Sequence, residues 1–138
     1  MQNNLDLLKD LMKEHDNSFY IYNENVIKRQ VETLYEKLPQ FEFFYSVKAN
    51  PLKPVFLASK NIGSDAASAE EVLLSVEMGL TKDRIIYSTP GKQKKDIEKT
   101  IDKAMIVADS YHELELINEV AKEQNRKLKV GLRINMNF

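Results

Sequence analysis

Lys48 closes an apolar run, Phe43-Phe44-Tyr45-Ser46-Val47, and Ala49-Asn50-Pro51 follows at once. Such a run reads as a buried strand. Asn50 is expected to cap a helix that has Pro51 in its first turn. Lys48 then stands where a strand hands over to a helix, at the strand's C-terminal end. In parallel α/β folds that end carries the chemistry. A lysine rooted in an apolar strand loses its proton more easily than a surface lysine. Unprotonated, it can join to an aldehyde as a Schiff base.

Polar residues recur at the ends of the other apolar runs: Asp65, Ser88, Asp109 and Arg133. In a barrel these positions and Lys48 converge on one rim. Taken singly, Ser88 and Asp109 read as ordinary strand ends. Thr89-Pro90-Gly91-Lys92-Gln93 lacks the glycine spacing and the hydroxyl of a phosphate loop, so Pro90-Gly91 reads as a turn. Lys92, Lys94 and Lys95 read as a solvated basic cluster. His112 falls in the first turn of a helix and reads as a surface residue.

Composition narrows the classes. Hydrophobic residues at 43% and charged residues at 30% describe an ordinary globular protein. Twenty Lys and Arg against 21 Asp and Glu leave a net charge of −1, with no basic footprint for nucleic acid or an anionic membrane. There is no cysteine, hence no disulfide, thiolate nucleophile or thiolate zinc site. The histidines, His15 and His112, are in no metal-ligand spacing, and no metal site is expected. No apolar segment is long enough to span a bilayer, and residues 1–10 do not resemble a signal peptide, so a cytoplasmic location is expected.

The elements that must position these residues alternate. Helices are expected over 5–12 and 24–38, with a strand-like aromatic segment over 18–22 between them. Strands over 42–47, 62–66, 84–88 and 104–108 each precede a helix, over 51–60, 69–78, 93–103 and 111–124. A fifth strand spans 129–135. Ser68-x-x-Glu71 and Ser110-x-x-Glu113 fit the capping box, and Gly79 fits a helix stop. Strands alternating with helices predict parallel βαβ units, and no domain boundary falls within 24–138.

At this level of detail Tyr45-Ser46-Val47-Lys48-Ala49-Asn50 resembles the lysine motif of the fold-type III pyridoxal-phosphate decarboxylases, which act on diaminopimelate, ornithine or arginine. Alanine racemase is a more distant relative. Four further blocks follow in the family's order. They are Gly63-Ser64-Asp65-Ala66-Ala67-Ser68-Ala69-Glu70-Glu71, Ile85-Ile86-Tyr87-Ser88-Thr89-Pro90-Gly91-Lys92, Ala108-Asp109-Ser110-Tyr111-His112-Glu113-Leu114 and Leu132-Arg133-Ile134-Asn135.

The resemblance implies a fold, a cofactor and roles. The fold is α/β, the first five parallel strands of a (β/α)8 TIM barrel. The cofactor is pyridoxal 5'-phosphate, bonded to Lys48, with Asp65 near that lysine and Arg133 approaching the ring's phenolic oxygen. Ser68 and Glu71 match motif positions too, in competition with their capping role. Residues 1–138 correspond to the N-terminal part of an alanine-racemase-like barrel. The rest of the barrel, with a ring-stacking histidine, a glycine-rich phosphate loop and a carboxylate for the pyridine nitrogen, is expected to lie outside it, as is a β-domain. The activity implied is amino-acid decarboxylation of the diaminopimelate type, in lysine biosynthesis, with the chain alone expected to be inactive. Alternatives are an ornithine or arginine decarboxylase of polyamine biosynthesis, and a non-catalytic cofactor- or partner-binding module. The implied partners are an amino-acid substrate and a second subunit in a homodimer, or a complementing second chain.

Overall fold

The computed structural model describes residues 2–15, 18–59 and 62–136. Two helices come first, α1 (Gln2–Glu14) and α2 (Glu24–Lys37). Asn23 starts α2: its side-chain oxygen accepts the N–H groups of Asn25 and Val26 at 3.0 and 3.3 Å, satisfying donors that have no partner inside the helix. Then strands and helices alternate: β1 (Phe44–Ser46), α3 (Lys53–Ala58), β2 (Gly63–Ala66), α4 (Ala69–Glu77), β3 (Ile85–Tyr87), α5 (Lys94–Thr100), β4 (Met105–Ala108), α6 (Tyr111–Glu123) and β5 (Gly131–Leu132). Short 3-10 turns lie after β1, at Val47–Ala49, and before β3, at Lys82–Arg84.

The five strands are parallel and stand in the order β1-β2-β3-β4-β5, each beside its neighbour in sequence. Right-handed crossovers in one direction put every connecting helix on the same face of the sheet. A doubly wound sheet reverses direction at a switch point, whereas a barrel does not. The chain is therefore a partial (β/α)8 barrel, as expected.

Burial separates the two faces. Ser64, Ala66, Ile85, Tyr87, Ile106 and Ala108 alternate along their strands and are at most 4% exposed. The apolar ones pack with Val72, Ile97, Ile101, Ile117 and Val120 of the helical layer in one core. Full burial of such a side chain contributes roughly 1.5–3 kcal/mol. Ser64 is the polar member. Its hydroxyl lies 2.6 Å from that of Ser75 on α4, and Ser75 donates to the Glu71 carbonyl, so Ser64 is the donor between them. The intervening residues Asp65, Ile86 and Val107 are half-buried and belong to the other face. Phe44 joins them, its ring occupying the space above Gly63 where a Cβ would come within 2.5 Å of it.

Four expectations needed correction. The aromatic segment over 18–22 forms no strand; its backbone finds no ladder partner among the described residues, and Tyr20 is 91% exposed. Asn50 does not cap the start of the following helix: α3 starts at Lys53 after the cap residue Leu52, with Pro54 in its first turn. Asn50 is extended instead, and its side-chain oxygen accepts the Leu52 N–H at 3.1 Å. Position 60, the expected end of that helix, lies outside the described residues. The fifth strand shrinks from 129–135 to Gly131–Leu132; among the described residues β4 is the one strand it pairs with. Lys92 is no solvated residue, as described below. Both serine caps formed, as did the left-handed turn at Gly79, with φ +89°.

Among the described residues no strand pairs with the outer edge of β5, and Leu132 on it and Ile134 just after it are 59% and 77% exposed. An apolar, unpaired edge templates pairing with another chain. We expect concentration-dependent association of the chain in sedimentation velocity. The double substitution Leu132→Lys, Ile134→Lys is expected to shift it towards monomer. Unchanged sedimentation of the double variant would show that another surface drives association.

Candidate active site

The parallel strands bring their C-terminal ends to one side, and the chemistry-bearing residues follow. Lys48 sits on the turn after β1, Asp65 near the end of β2, and Ser88, Asp109 and Arg133 directly after β3, β4 and β5. Ser46, two residues before Lys48, is the register partner of Asp65. Lys48 is exposed, and among the described residues its ammonium group has no hydrogen-bond or ion-pair partner. The buried setting expected around it extends to Val47, which is fully buried, and stops there.

Neighbouring strand ends are laced in pairs. Ser88 Oγ donates to Asp65 Oδ1 at 2.7 Å, bridging β2 and β3. Arg133 Nε lies 3.5 Å from Asp109 Oδ1, bridging β4 and β5. The Arg133 side chain is 55% exposed. A loose, exposed pair of this kind is worth about 0–1 kcal/mol, so the guanidinium can turn to a better acceptor at little cost. Ser88, which taken alone reads as a bland strand end, thus touches a candidate site residue.

The bridge between β3 and β4 was not anticipated from sequence. Lys92 is 4% exposed. Its ammonium donates to the Thr89 carbonyl at 2.5 Å, the Val107 carbonyl at 2.6 Å and Glu113 Oε2 at 3.0 Å, which uses all three of its protons. It also lies 5.2 Å from the ring centre of Tyr87. Burial pushes the Tyr87 phenol up to about 12, so the ring stays neutral beside that cation. Glu113 completes the network: Oε1 accepts the Lys92 N–H, and Oε2 accepts the Asp109 N–H, both at 3.0 Å. Its own N–H goes to the Ser110 hydroxyl at 3.2 Å, so the expected cap is present. The matching pair at α4 is simpler. Glu71 Oε2 accepts the Ala67 N–H at 2.7 Å, and Ser68 Oγ accepts the Glu71 N–H at 3.1 Å.

Other regions do not join this rim. A cavity of about 880 Å3 is lined by Val31, Tyr35, Ala58, Leu80 and Arg84. Leu80 and Arg84 precede β3, so the cavity lies where the strands begin. His112 is exposed, with Glu115 at 4.0 Å. Among the described residues no group of three His, Asp or Glu could hold a metal ion, and no helix is long and apolar enough to cross a membrane.

The fold is that of the opening strands of a barrel, with polar residues gathered at the strand ends. Comparison with known proteins is specific. Residues 24–138 match the pyridoxal-binding domain of the pyridoxal-dependent decarboxylases, and the chain belongs to that family. Its cofactor is pyridoxal phosphate. Diaminopimelate decarboxylase of Aquifex aeolicus is 30% identical over 93% of this chain and 31% of its own length. That of Campylobacter jejuni is 35% identical over 94% and 34%. The crystal structure of Helicobacter pylori diaminopimelate decarboxylase complexed with L-lysine superposes with a TM-score of 0.81 at 26% identity, over 93% of this chain and 34% of that one. An ornithine decarboxylase of Saccharomyces cerevisiae also matches. The chain spans about a third of the length of these relatives. The donor set on the rim suits the cofactor: an exposed amine for its aldehyde, a carboxylate and a loosely held guanidinium.

Burial alone pushes the Glu113 carboxyl up, but the Asp109 N–H and the Lys92 ammonium and N–H outweigh it and hold the group below its ordinary value. A carboxylate depressed in the folded state adds stability above its unfolded pKa, and that stability is lost as pH falls through the folded value. Acidification below about pH 4.5 is therefore expected to lower Tm, and Glu113→Gln to flatten that dependence. Lys92→Met leaves the carboxylate buried and unpaired, at a cost of about 3–5 kcal/mol. Urea unfolding measures it; a loss below about 1 kcal/mol would mean that water replaces the ammonium.

Proposed function

We propose that this chain is the cofactor-holding segment of a pyridoxal-phosphate-dependent amino-acid decarboxylase of the diaminopimelate type. One observation carries the reading. Lys48 presents an exposed amine without a partner among the described residues, on the same rim as Asp65 and Arg133. The named relatives at 30% and 35% identity support diaminopimelate as the substrate class. The ornithine decarboxylase match supports a second reading, in which the substrate is ornithine or arginine.

When bound, the cofactor supplies an electron sink for the pair released as the carboxylate leaves the α-carbon. The rest is the work of this chain's side chains. Lys48 Nζ would hold the aldehyde carbon. Asp65, whose Oδ1 accepts the Ser88 hydroxyl, would stand near the lysine and the cofactor. Arg133 would leave Asp109 for the ring's phenolic oxygen, an exchange that its exposure permits. Residues 1–138 act in this reading as the N-terminal part of an alanine-racemase-like barrel. Further strands, a phosphate-binding loop and a β-domain would come from additional sequence or from a complementing chain, with a homodimer as the family's assembly.

Borohydride reduction in the presence of pyridoxal phosphate is expected to label Lys48 above the exposed lysines Lys95 and Lys99, and Lys48→Met to abolish that excess. Equal labelling of all three would end the reading. The 138 residues alone are expected to release no carbon dioxide from diaminopimelate, ornithine or arginine above the free-cofactor rate. Transition-state stabilisation needs donors fixed around the whole ring. Release above that rate would mean that the strand ends described here already suffice.

A further inference from the structure

The turn that carries Lys48 is closed by its own side chains. Tyr45, on β1, donates its hydroxyl to the Asn50 carbonyl at 3.0 Å. The Asn50 N–H bonds the Val47 carbonyl at 3.1 Å, and the Asn50 side-chain oxygen accepts the Leu52 N–H at 3.1 Å. Tyr45 is itself fixed, its ring edge-to-face with Phe56 of α3 at a centroid distance of 6.0 Å. Phe56 is 7% exposed and Val47 fully buried. In a 3-10 turn successive residues are rotated by about a third of a turn, so seating Val47 in the core turns Lys48 outward. The strand before the lysine and the chain after it are thereby pinned to each other across five residues.

We infer that Tyr45 is a positioning residue: through the Asn50 carbonyl it holds the 47–49 turn so that the Lys48 amine meets an aldehyde in one orientation. Asn50 is its second anchor. This rests on the reading of Lys48 as the cofactor lysine. No part of the clamp touches the amine, so its removal leaves the amine present and alters only its presentation.

The test compares the unaltered chain with Tyr45→Phe, which removes one oxygen and keeps the ring against Phe56. Each is treated with pyridoxal phosphate and borohydride, and labelling at Lys48 is read by peptide mass spectrometry relative to Lys95. Amide hydrogen exchange at Asn50 is followed without cofactor. In Tyr45→Phe, labelling at Lys48 relative to Lys95 is expected to fall about fivefold, the scale of one lost neutral hydrogen bond. Asn50 exchange is expected to quicken, with far-UV circular dichroism unchanged. A merely structural role would slow labelling at no lysine selectively. Should Tyr45→Phe fail to fold, Asn50→Ala removes the second anchor and is expected to act in the same direction. Faster Asn50 exchange with an unchanged Lys48 to Lys95 ratio overturns the positioning role and leaves the cofactor lysine standing. Absence of preferential Lys48 labelling in the unaltered chain overturns both.

Discussion

Every strand after the first is laid down on the same side of its predecessor, parallel to it, with its helix on the same face. That constraint governs the rest. A right-handed crossover repeated in one direction leaves one face of the sheet to the helices and the other to the barrel interior. Ser64, Ala66, Ile85, Tyr87, Ile106 and Ala108 go to the helical face, where the apolar ones form the core. Asp65, Ile86 and Val107 go to the interior face. The same constraint sets all five C-terminal ends side by side. Residues up to 85 positions apart in sequence, from Lys48 to Arg133, thus come to one rim.

The rim is held together by short-range polar contacts, one within the turn after β1 and the others joining adjacent strand ends. The Tyr45 hydroxyl fixes the turn after β1, and Ser88 joins β3 to Asp65 on β2. Lys92 and Glu113 join the β3 loop to β4 and to the start of α6. Arg133 reaches back to Asp109. These contacts are unequal. The Lys92–Glu113 pair is buried and saturated with hydrogen bonds, so it has no competing partner to exchange with. The Arg133–Asp109 pair is exposed and long, and Lys48 is uncommitted among the described residues. Rigid contacts thus lie behind the rim and exchangeable groups on it, the order that a site built to receive a ligand needs.

Two serine N-caps show how similar local sequence acquires different work. In Ser68-x-x-Glu71 and Ser110-x-x-Glu113 the serine hydroxyl accepts the glutamate N–H in the first turn, and the carboxylate accepts the N–H of the residue before the serine, Ala67 or Asp109. Glu71 does this and no more among the hydrogen bonds its carboxylate makes. Glu113 faces a lysine that arrives from another βα unit, and its carboxylate becomes the counter-charge of a buried ammonium. The cap is a property of four consecutive residues; the ion pair is a property of packing.

Much of this chain was legible in its sequence because the relevant forces are local. Apolar runs broken by Asn, Pro, Gly and Ser mark strands and helix ends over a few residues. The five strands, α2, α4 and α6 follow from those marks, as does the position of Lys48, Asp65 and Arg133 at strand ends. Family resemblance in five ordered blocks agrees with the match over residues 24–138. What sequence could not decide depends on partners far along the chain. Whether 18–22 becomes a strand depends on a neighbouring backbone to bond, and none is present among the described residues. Among the described residues β5 pairs with β4 alone, over two residues. Lys92 cannot be told from Lys94 and Lys95 by its neighbours in sequence. It is buried because α6 brings Glu113, 21 residues away, and β4 brings the Val107 carbonyl to the same point. A charged group leaves water only where its compensating partners have already converged, and that convergence is a tertiary event.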